Sequence, residues 1–161
     1  MLTECRTTPF GVDWKGDGRM DLVMLDHDGY LAFFEHARRG GKLALLPPRR
    51  LFCDEQVRPL RLTSAIAGKS GARKLCLVDS DGDGDGRLDI LLNGENASLL
   101  HQVDARDGKI YFKDMGKLAA ENVASHDVSP TVVDWKGDGI PDLLAGAEDG
   151  QLYYLRNPRV K

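Results

Sequence analysis

A seven-residue stretch occurs twice, letter for letter, and constrains the fold more than any other feature. Val12–Gly18 reads VDWKGDG, and Val133–Gly139 repeats it 121 residues later. Residues 81–89, between them, share the same frame: Asp at positions 1, 5 and 9, and Gly at position 6. Internal repetition over tens of residues is typical of repeat architectures, so we predict three copies of one structural unit.

The residues that follow each frame repeat as well. An apolar run comes after the last Asp, a turn begins seven residues after it, and a leucine stands ten residues after it. Two apolar runs separated by turn chemistry predict a β-hairpin. A second turn follows in the first two copies, at Gly40-Gly41 and Asp107-Gly108. The predicted strands are 9–13, 21–25, 30–36 and 42–46; 74–78, 88–93, 98–103 and 109–113; and 130–134, 142–146 and 151–156.

The pattern resembles the FG-GAP or VCBS repeat, the calcium-loop blade of integrin-α-like β-propellers. The D-x-x-x-D-G-x-x-D core, present three times in register, carries the resemblance. It implies an all-β fold of antiparallel four-stranded blades, calcium in the loop between strands one and two, and an extracellular or cell-surface location. About two and a half blades are expected, at 8–71, 72–129 and, incomplete, 130–161. Open blades leave edges and faces exposed, so we expect the remaining blades in cis or through oligomerisation.

The acidic loops are the candidate metal sites. Calcium takes six to eight oxygens at about 2.3–2.6 Å, and Asp at alternate loop positions directs carboxylates to one spot. The middle loop lacks the Glu that an EF-hand needs at position 12, where Leu92 stands. We predict a structural calcium ion in this loop. The candidate ligands are Asp81, Asp83, Asp85, Asp89 and the carbonyl of Arg87 in the middle loop, Asp13, Asp17 and Asp21 in the first, and Asp134, Asp138 and Asp142 in the third.

Lys15 and Lys136 occupy position 3 of the outer loops, where an ammonium group cannot bind a cation. Three alternatives stay open: a weaker calcium site with the lysine turned outward, a lysine turned inward in place of the metal, or a turn closed by Asp side chains. Trp14 and Trp135 stand at position 2. An aromatic there can stack on sugars or pack between blades, and we favour packing.

The turns between strands two and three are candidate ligand sites, because loops on a rigid scaffold carry most ligand contacts. Hairpin turns also require Asp-Gly for purely structural reasons, so that alternative stays open. His27 and Asp28 have the chemistry of a base oriented by a carboxylate, yet neighbours on a strand point to opposite sides, and no catalytic residue is predicted. The candidate residues are His27, Asp28, Asn96, Glu148 and Asp149.

Charge is unevenly distributed. Residues 38–74 hold ten basic and two acidic side chains, a net +8 in a chain of net −3. Such a stretch is either a site for a polyanion, such as an acidic polysaccharide, or a solvated surface, which we favour. Phe52 is the one aromatic within it, so no nucleic-acid partner is expected.

Cys5, Cys53 and Cys76 form no C-x-x-C motif. One disulfide with a free thiol stays possible, and we favour three thiols. No apolar run approaches the roughly 20 residues of a membrane span, and we expect no secretory signal in this chain.

These features predict a calcium-stabilised extracellular module that binds a protein or glycan, as in adhesion. The alternative is part of a propeller-fold carbohydrate-active enzyme such as a polysaccharide lyase. A lyase needs a Tyr or His base and a cation that neutralises the uronate carboxylate. Tyr30, His27 and the arginine-rich segment supply that chemistry, but no sequence feature places them together. We therefore favour a non-enzymatic role.

Overall fold

The computed structural model describes residues 8–63, 73–80, 85–94, 96–120, 123 and 128–157. Thirteen β-strands lie in these ranges, and no helix does, which confirms the all-β class. It follows that these ranges hold no helix long and apolar enough to cross a membrane. The strand registers that the structure describes are antiparallel except one.

The first copy forms an antiparallel three-stranded sheet, a separate hairpin and a short further strand. The third strand is buried along its whole length, as expected of the apolar run LAFF. Gly40 and Gly41 join the hairpin strands with φ of 56° and 77°, the two left-handed positions of a type I′ turn. The strands are β1 (Phe10–Val12), β2 (Asp21–Leu25), β3 (Leu31–Phe34), β4 (His36–Arg39), β5 (Lys42–Leu45) and β6 (Phe52–Asp54).

The predicted strand 30–36 is interrupted at Glu35, where β3 ends and β4 follows. The backbone N–H of Leu46 donates to the carbonyl of Glu35 at 2.8 Å, and pairing resumes between Phe33 and Arg49, with reciprocal bonds of 2.9 Å. Two residues, Pro47 and Pro48, thus stand opposite the single residue Phe34. Because proline has no N–H, the ladder breaks there and the chain bulges.

The second copy has the four predicted strands in antiparallel order. They belong to a five-stranded sheet of order β6-β10-β9-β8-β7. The unpredicted member is β6, which pairs in parallel with β10 in the register Ile110↔Phe52. The turn predicted at Asp107-Gly108 is present, and its φ angles of 52° and 70° are those of a type I′ turn. The strands are β7 (Leu75–Val78), β8 (Asp89–Leu92), β9 (Ser98–Arg106) and β10 (Lys109–Lys117).

The third copy is the three-stranded antiparallel sheet that its pattern predicts. Leu144 pairs with Thr131 on one side and with Tyr154 on the other. The strands are β11 (Val128–Val133), β12 (Asp142–Ala147) and β13 (Leu152–Leu155).

The chain divides into two compact units. Unit 1 comprises Met1–Arg73 with Val103–Phe112, and unit 2 comprises Lys74–Gln102 with Lys113–Lys161. The blade boundaries 8–71, 72–129 and 130–161 stay predictions. Unit 1 buries a group of aromatic side chains, and unit 2 buries an aliphatic cluster. These are Phe33, Phe34, Phe52 and Phe112 in unit 1, and Val78, Leu91, Ala97, Val128, Leu143 and Ala145 in unit 2.

Candidate functional site

The first aspartate of each outer loop closes its own turn. Asp13 accepts the backbone N–H groups of Asp17 and Gly18 at 3.0 and 2.8 Å, one on each carboxylate oxygen. In the third copy, the carboxylate of Asp134 accepts the N–H groups of positions 138 and 139 at 3.0 and 2.9 Å. Each carboxylate thus satisfies two loop amides, an arrangement known from Asx turns.

The last aspartate of each loop, at position 9, is buried. Asp21, Asp89 and Asp142 are 2%, 3% and 2% exposed. Each accepts a backbone N–H from a residue within the third strand of its copy or two residues beyond the end of that strand, and this bond satisfies an otherwise buried charge. The donors are His36 at 2.7 Å, Gln102 at 2.7 Å and Asn157 at 2.8 Å.

Further side chains contact two of these buried carboxylates. Tyr154 donates its hydroxyl hydrogen to Asp142 at 2.7 Å, and this bond holds the pKa of Asp142 below its usual value. Asp89 lies 3.0 Å from Nδ1 of His101 and accepts the hydroxyl hydrogen of Ser80. The frame predicted these aspartates as metal ligands but did not reveal their bonds to the third strand.

Lys15 turns away from its loop. Its ammonium group pairs with Glu35, which also holds Arg49 at 3.0 Å. Asp17 pairs with Arg19, and the hydrogen bond from Arg19 lowers the pKa of Asp17. The first loop is therefore a turn that Asp13 closes, and Lys15 points away from it.

The donor set of the middle loop fits calcium, because every candidate ligand is a hard oxygen. Asp85 accepts the N–H of Arg87 at 2.8 Å and lies 3.1 Å from its guanidinium. Asp81 and Asp83 lie outside the described residues. Calcium binding by this loop and by the two outer loops stays a prediction.

The two tryptophans differ in their surroundings. Trp14 makes edge contacts with Phe33 and Phe52, at centroid distances of 6.0 and 5.7 Å. Trp135 has one ring neighbour in the described residues, Tyr154 at 5.9 Å, and is 65% exposed. Trp14 therefore packs against aromatic residues of its own predicted blade, whereas Trp135 is open, and packing between blades stays a prediction.

A second acidic group lies in the turn between β2 and β3. Asp26 is 4% exposed and accepts the N–H groups of Asp28 and Tyr30 at 3.0 and 3.1 Å. Arg50 donates to Asp26 and Asp28, at 2.6 Å each, and lowers the pKa of Asp28. His27 Nε2 lies 3.4 Å from Asp28. The two side chains are close because they lie in a turn, so the expectation of opposite orientation is wrong.

Two guanidinium groups cover the ring of Tyr30 in the same turn. Arg50 lies 4.1 Å and Arg61 5.5 Å from its centroid, distances of cation–π contact. Arg61 also donates to the carbonyl of Asp28 at 2.9 Å. We call this group the Arg50 cluster; its members are Asp26, His27, Asp28, Tyr30, Arg50 and Arg61.

In the described part of the chain, Asp26, His27 and Asp28 are the one trio of acidic or histidine side chains whose ligand atoms all lie within 4.8 Å of one another. The guanidinium of Arg50 already compensates both carboxylates. A fixed cation in hydrogen-bond contact with the anions disfavours a metal ion there. The trio is thus better described as an ion-pair network than as a metal site.

An open groove of about 990 Å³ borders the Arg50 cluster within unit 1. Leucine and proline side chains contribute its apolar part, and charged side chains contribute the rest. The residues that line it are Asp26, His27, Arg39, Leu45, Leu46, Pro47, Pro48 and Arg50. Two of the predicted ligand residues, His27 and Asp28, thus lie in or beside a groove.

The comparison with protein families gives one result. Residues 81–145 match a family described as FG-GAP-like repeat. This segment is similar to an FG-GAP-like repeat. The match begins at the first aspartate of the middle loop and extends into β12, so it includes the whole of the middle and third frames. The predicted resemblance is confirmed for the segment that holds the second and third frames, and the first frame lies outside the match. Comparisons with curated proteins and with solved structures give no match.

Within the FG-GAP-like repeat, Asn96 has a structural position. It is 3% exposed and donates to the carbonyl of Ala119 at 3.3 Å. In the third copy, Glu148 and Asp149 lie in an exposed turn, and Asp149 accepts the hydroxyl hydrogen of Tyr153 at 2.6 Å. This bond lowers the pKa of Asp149. Of the predicted ligand residues, His27 and Asp28 are the pair that the structure brings together with further charged groups.

Much of the basic stretch outside the FG-GAP-like repeat is engaged internally in unit 1. Arg58 pairs with Asp54 at 2.7 Å, and Arg73 donates to the carbonyl of Leu62 at 3.0 Å. Arg38 and Arg39 are exposed on β4. The arginines that pair with acceptors in unit 1 are therefore interpreted as ordinary surface residues. The β4–β5 hairpin, in contrast, retains exposed positive charge.

Cys53 and Cys76 are free thiols. Burial raises the pKa of each. Cys5 lies outside the described residues, so its state as a free thiol stays a prediction.

Proposed function

We propose that this chain is a calcium-stabilised extracellular module of the β-propeller type that binds a glycan or protein ligand. The FG-GAP-like repeat supports the propeller-type module. The groove beside the Arg50 cluster is the observation that carries the binding proposal. The metal has a structural role, and ligand recognition belongs to unit 1.

The groove suits a polar polymer because its walls differ in chemistry. The side chains of Pro47 and Pro48 offer a rigid apolar surface, while His27 and Arg39 offer a donor and a positive charge. Arg50 is held by two carboxylates, so the rim is rigid before a ligand arrives. Preorganisation of this kind reduces the entropic cost of binding.

The middle loop is the proposed calcium site. Asp81, Asp83, Asp85 and Asp89 would supply carboxylate oxygens, and Arg87 a backbone carbonyl. Four carboxylates in one short loop repel one another, and a divalent cation removes that repulsion. Calcium therefore stabilises the loop and takes no part in chemistry.

Titration of a uronate-rich and a neutral polysaccharide, side by side at two salt concentrations, tests the binding proposal. Arg39→Ser should weaken binding of the acidic polymer, whereas Arg38→Ser, a neighbour that does not line the groove, should leave it unchanged. Binding should also weaken with salt, because the screening length falls from about 10 Å at 0.1 M to about 3 Å at 1 M. Binding to neither polymer would contradict a glycan ligand, and equal loss in both variants would contradict the groove as its site.

One observation favours the second candidate, a polysaccharide lyase. Tyr30, His27, Arg50 and Arg61 lie together, although nothing in the sequence predicted it. In a β-elimination, a base removes the proton next to the uronate carboxylate, a guanidinium stabilises the resulting negative charge, and the protonated base returns the proton to the glycosidic oxygen as the C–O bond breaks. Tyr30 or His27 supplies the base, and Arg50 or Arg61 the positive charge.

The two functions differ in a direct measurement. A lyase gives an unsaturated uronide that absorbs in the ultraviolet, and Tyr30→Phe should abolish its formation if Tyr30 is the base. Saturable binding of the uronate polymer with no unsaturated product would support the binding module and contradict the lyase function. Product formation that persists in both Tyr30→Phe and His27→Ala would contradict these residues as the base.

A further inference from the structure

Unit 2 contains a cleft of about 160 Å³ between the second and third copies. Leu91, Leu99 and Leu118 line it from the second copy, and Leu143 and Leu155 line it from the third. Polar side chains contribute the smaller part of its lining. The function proposed above makes no use of this cleft.

The cleft lies on the side of the third sheet that faces the second copy. Leu143 pairs with Leu155, and Leu144 pairs with Tyr154. Because neighbours on a strand point to opposite sides of a sheet, these two pairs lie on opposite sides. Leu143 belongs to a buried cluster with Leu91 of the second copy, whereas Tyr154 is exposed. Two described copies therefore form the walls of the cleft, and the outer side of the third copy has no part in it.

In the first copy, a tryptophan lies against the equivalent pair of strand residues. Val23 pairs with Phe33, and Leu91 pairs with Leu99. The two pairs are equivalent because Val23 and Leu91 each stand two residues after the buried aspartate that begins their strand. The ring of Trp14 lies 6.0 Å from that of Phe33, between centroids. An indole ring thus occupies this position in the first copy.

The second copy has smaller residues at the equivalent positions. Gly82 stands at position 2 of the middle frame, where the outer frames have Trp14 and Trp135. Gly82 lies outside the described residues, but a glycine has no side chain that could replace the indole ring. Leu99, which pairs as Phe33 does, is also smaller than its counterpart. The cleft therefore corresponds to the place that aromatic rings fill in the first copy.

The size of the cleft suits an aromatic ring system. A cavity of about 150 Å³ lined by aliphatic and aromatic side chains is large enough to bind benzene. The cleft has a similar volume and is open at one side, where Leu118 is 41% exposed. A fused ring can therefore place one half between the leucines and the other half at the rim.

Ser80 gives the lining a defined hydrogen-bonding role. Its hydroxyl group donates to the buried carboxylate of Asp89. A hydroxyl group has one hydrogen and two lone pairs, so the oxygen of Ser80 accepts from a ligand and does not donate to it. This arrangement is complementary to a ring that carries an N–H group.

Arg156 gives the rim a positive charge. Its side chain is exposed and forms no hydrogen bond or ion pair with a described residue. The pKa of the nearby Asp142 is lowered mainly by the hydroxyl of Tyr154 and further by the charge of Arg156. Both oxygens of Asp142 already accept hydrogen bonds, from Tyr154 and Asn157. The guanidinium group therefore remains available to a carboxylate on a ligand.

We propose that this cleft binds a small aromatic carboxylate of indole size, with its ring between Leu99 and Leu143 and its carboxylate against Arg156. Ser80 accepts the N–H of the ring. The site is separate from the groove of unit 1 and does not depend on the function proposed for that groove.

Isothermal titration calorimetry of the full chain with indole and with indole-3-acetate tests the proposal. We expect saturable one-to-one binding of both probes, with indole-3-acetate the tighter. Leu118→Trp at the rim and Leu99→Trp in the wall should each weaken both probes at least about tenfold, because the added ring occupies the cleft. Leu152→Trp introduces the same side chain at an exposed leucine outside the cleft and should leave both affinities unchanged. Unchanged circular dichroism shows that each variant is folded.

A second pair of variants tests the charge. Arg156→Gln should weaken indole-3-acetate about tenfold, because one charge-assisted hydrogen bond is lost, and should leave indole unchanged. Arg38→Gln, at an exposed arginine of unit 1, is the matched control and should affect neither probe.

Three results would overturn the proposal. The first is the absence of saturable binding of both probes to the unmodified chain. The second is unchanged binding in both Leu99→Trp and Leu118→Trp, since it would place the probes elsewhere. The third is an equal effect of Arg156→Gln on indole and on indole-3-acetate, since it would contradict the contact between the carboxylate and Arg156.

Discussion

The hydroxyl of Tyr154 donates to Oδ2 of Asp142 at 2.7 Å, while Oδ1 accepts the N–H of Asn157 at 2.8 Å. Both oxygens of a buried carboxylate are thus satisfied, one by a residue of β13 and the other by a residue two positions beyond its end. The bond to Tyr154 lowers the pKa of Asp142, and the same bond raises the pKa of Tyr154. The stability of the third copy should therefore depend on pH at both ends of the range.

Tyr154→Phe should lower the urea midpoint of unfolding at neutral pH. Because the folded pKa of Asp142 is depressed, its contribution is present above the unfolded value of about 3.9 and is lost as pH falls through the folded pKa. Because the pKa of Tyr154 is raised, its contribution is present below about 10 and is lost as pH rises through the folded pKa. The difference between variant and wild type should shrink at both extremes.

Tyr153→Phe is the matched control for that experiment. Its hydroxyl bonds the exposed Asp149 across a turn, so its removal should have a smaller effect on the urea midpoint. A difference between Tyr154→Phe and wild type that is independent of pH would show that the hydroxyl acts by packing alone.

Calcium should raise the melting temperature of the chain relative to chelator. A ligand that binds the native state alone adds RT ln(1 + [L]/Kd), about 2.7 kcal/mol at a hundredfold excess over Kd. Asp83→Ala and Asp85→Asn should reduce the shift if the middle loop is the site. Asp17→Asn, at the same loop position as Asp85, should reduce it less, because Lys15 stands where the middle loop has Asp83 and leaves the first loop one carboxylate fewer.

The calcium prediction fails if wild type shows no shift between calcium and chelator. A shift that survives both middle-loop variants and disappears in Asp17→Asn would instead assign the ion to the first loop.

Gly29→Ala should destabilise the chain more than Gly150→Ala. Both glycines have left-handed backbone, with φ of 81° and 84°, so each substitution carries a strain of about 1–2 kcal/mol. A Cβ at Gly29 would also overlap the carbonyl oxygen of Thr63, whereas one at Gly150 meets nothing within 4 Å. Such overpacking adds about 1–3 kcal/mol.

Urea unfolding of the two glycine variants measures the difference. Equal free-energy losses would mean that the backbone near Thr63 moves aside at little cost.

Cys53 and Cys76 should react slowly with a thiol reagent at neutral pH, because burial raises the pKa of both and the thiolate is the reacting species. A Cys5→Ser background removes the thiol that lies outside the described residues. In denaturant both cysteines should react quickly and completely. Fast reaction of Cys53 in the folded protein would contradict its burial, and fast reaction of the half-buried Cys76 would contradict its raised pKa.

The local part of the fold was predictable from the sequence. Hairpins join strands that are adjacent in the sequence, and each frame is followed by the apolar run of a strand. The interruption at Glu35 was visible in principle, since Pro47 and Pro48 cannot continue a ladder. The parallel pairing of β6 with β10 was not predictable, because it joins residues far apart and nothing local in FCD specifies its partner.

The residues of the candidate sites were also predictable only in part. His27 and Asp28 were found from turn chemistry alone. Arg50 and Arg61 were missed because they approach the turn from a distant segment, and an arginine-rich stretch does not indicate which acceptors its members use. The buried position of Asp21, Asp89 and Asp142 was also missed. Each begins the apolar second strand, which in retrospect is the signal for burial.

The parallel pairing of β6 with β10 has a consequence for the order of events on the ribosome. Each hairpin of the first copy closes a short loop and can form as soon as its strands have left the exit tunnel. Phe52 cannot meet Ile110 until nearly all of the second copy has been synthesised. Until then β6 lacks its strand partner, so synthesis of residues 55–109 is the interval in which the nascent chain is most exposed to mispairing and to chaperones.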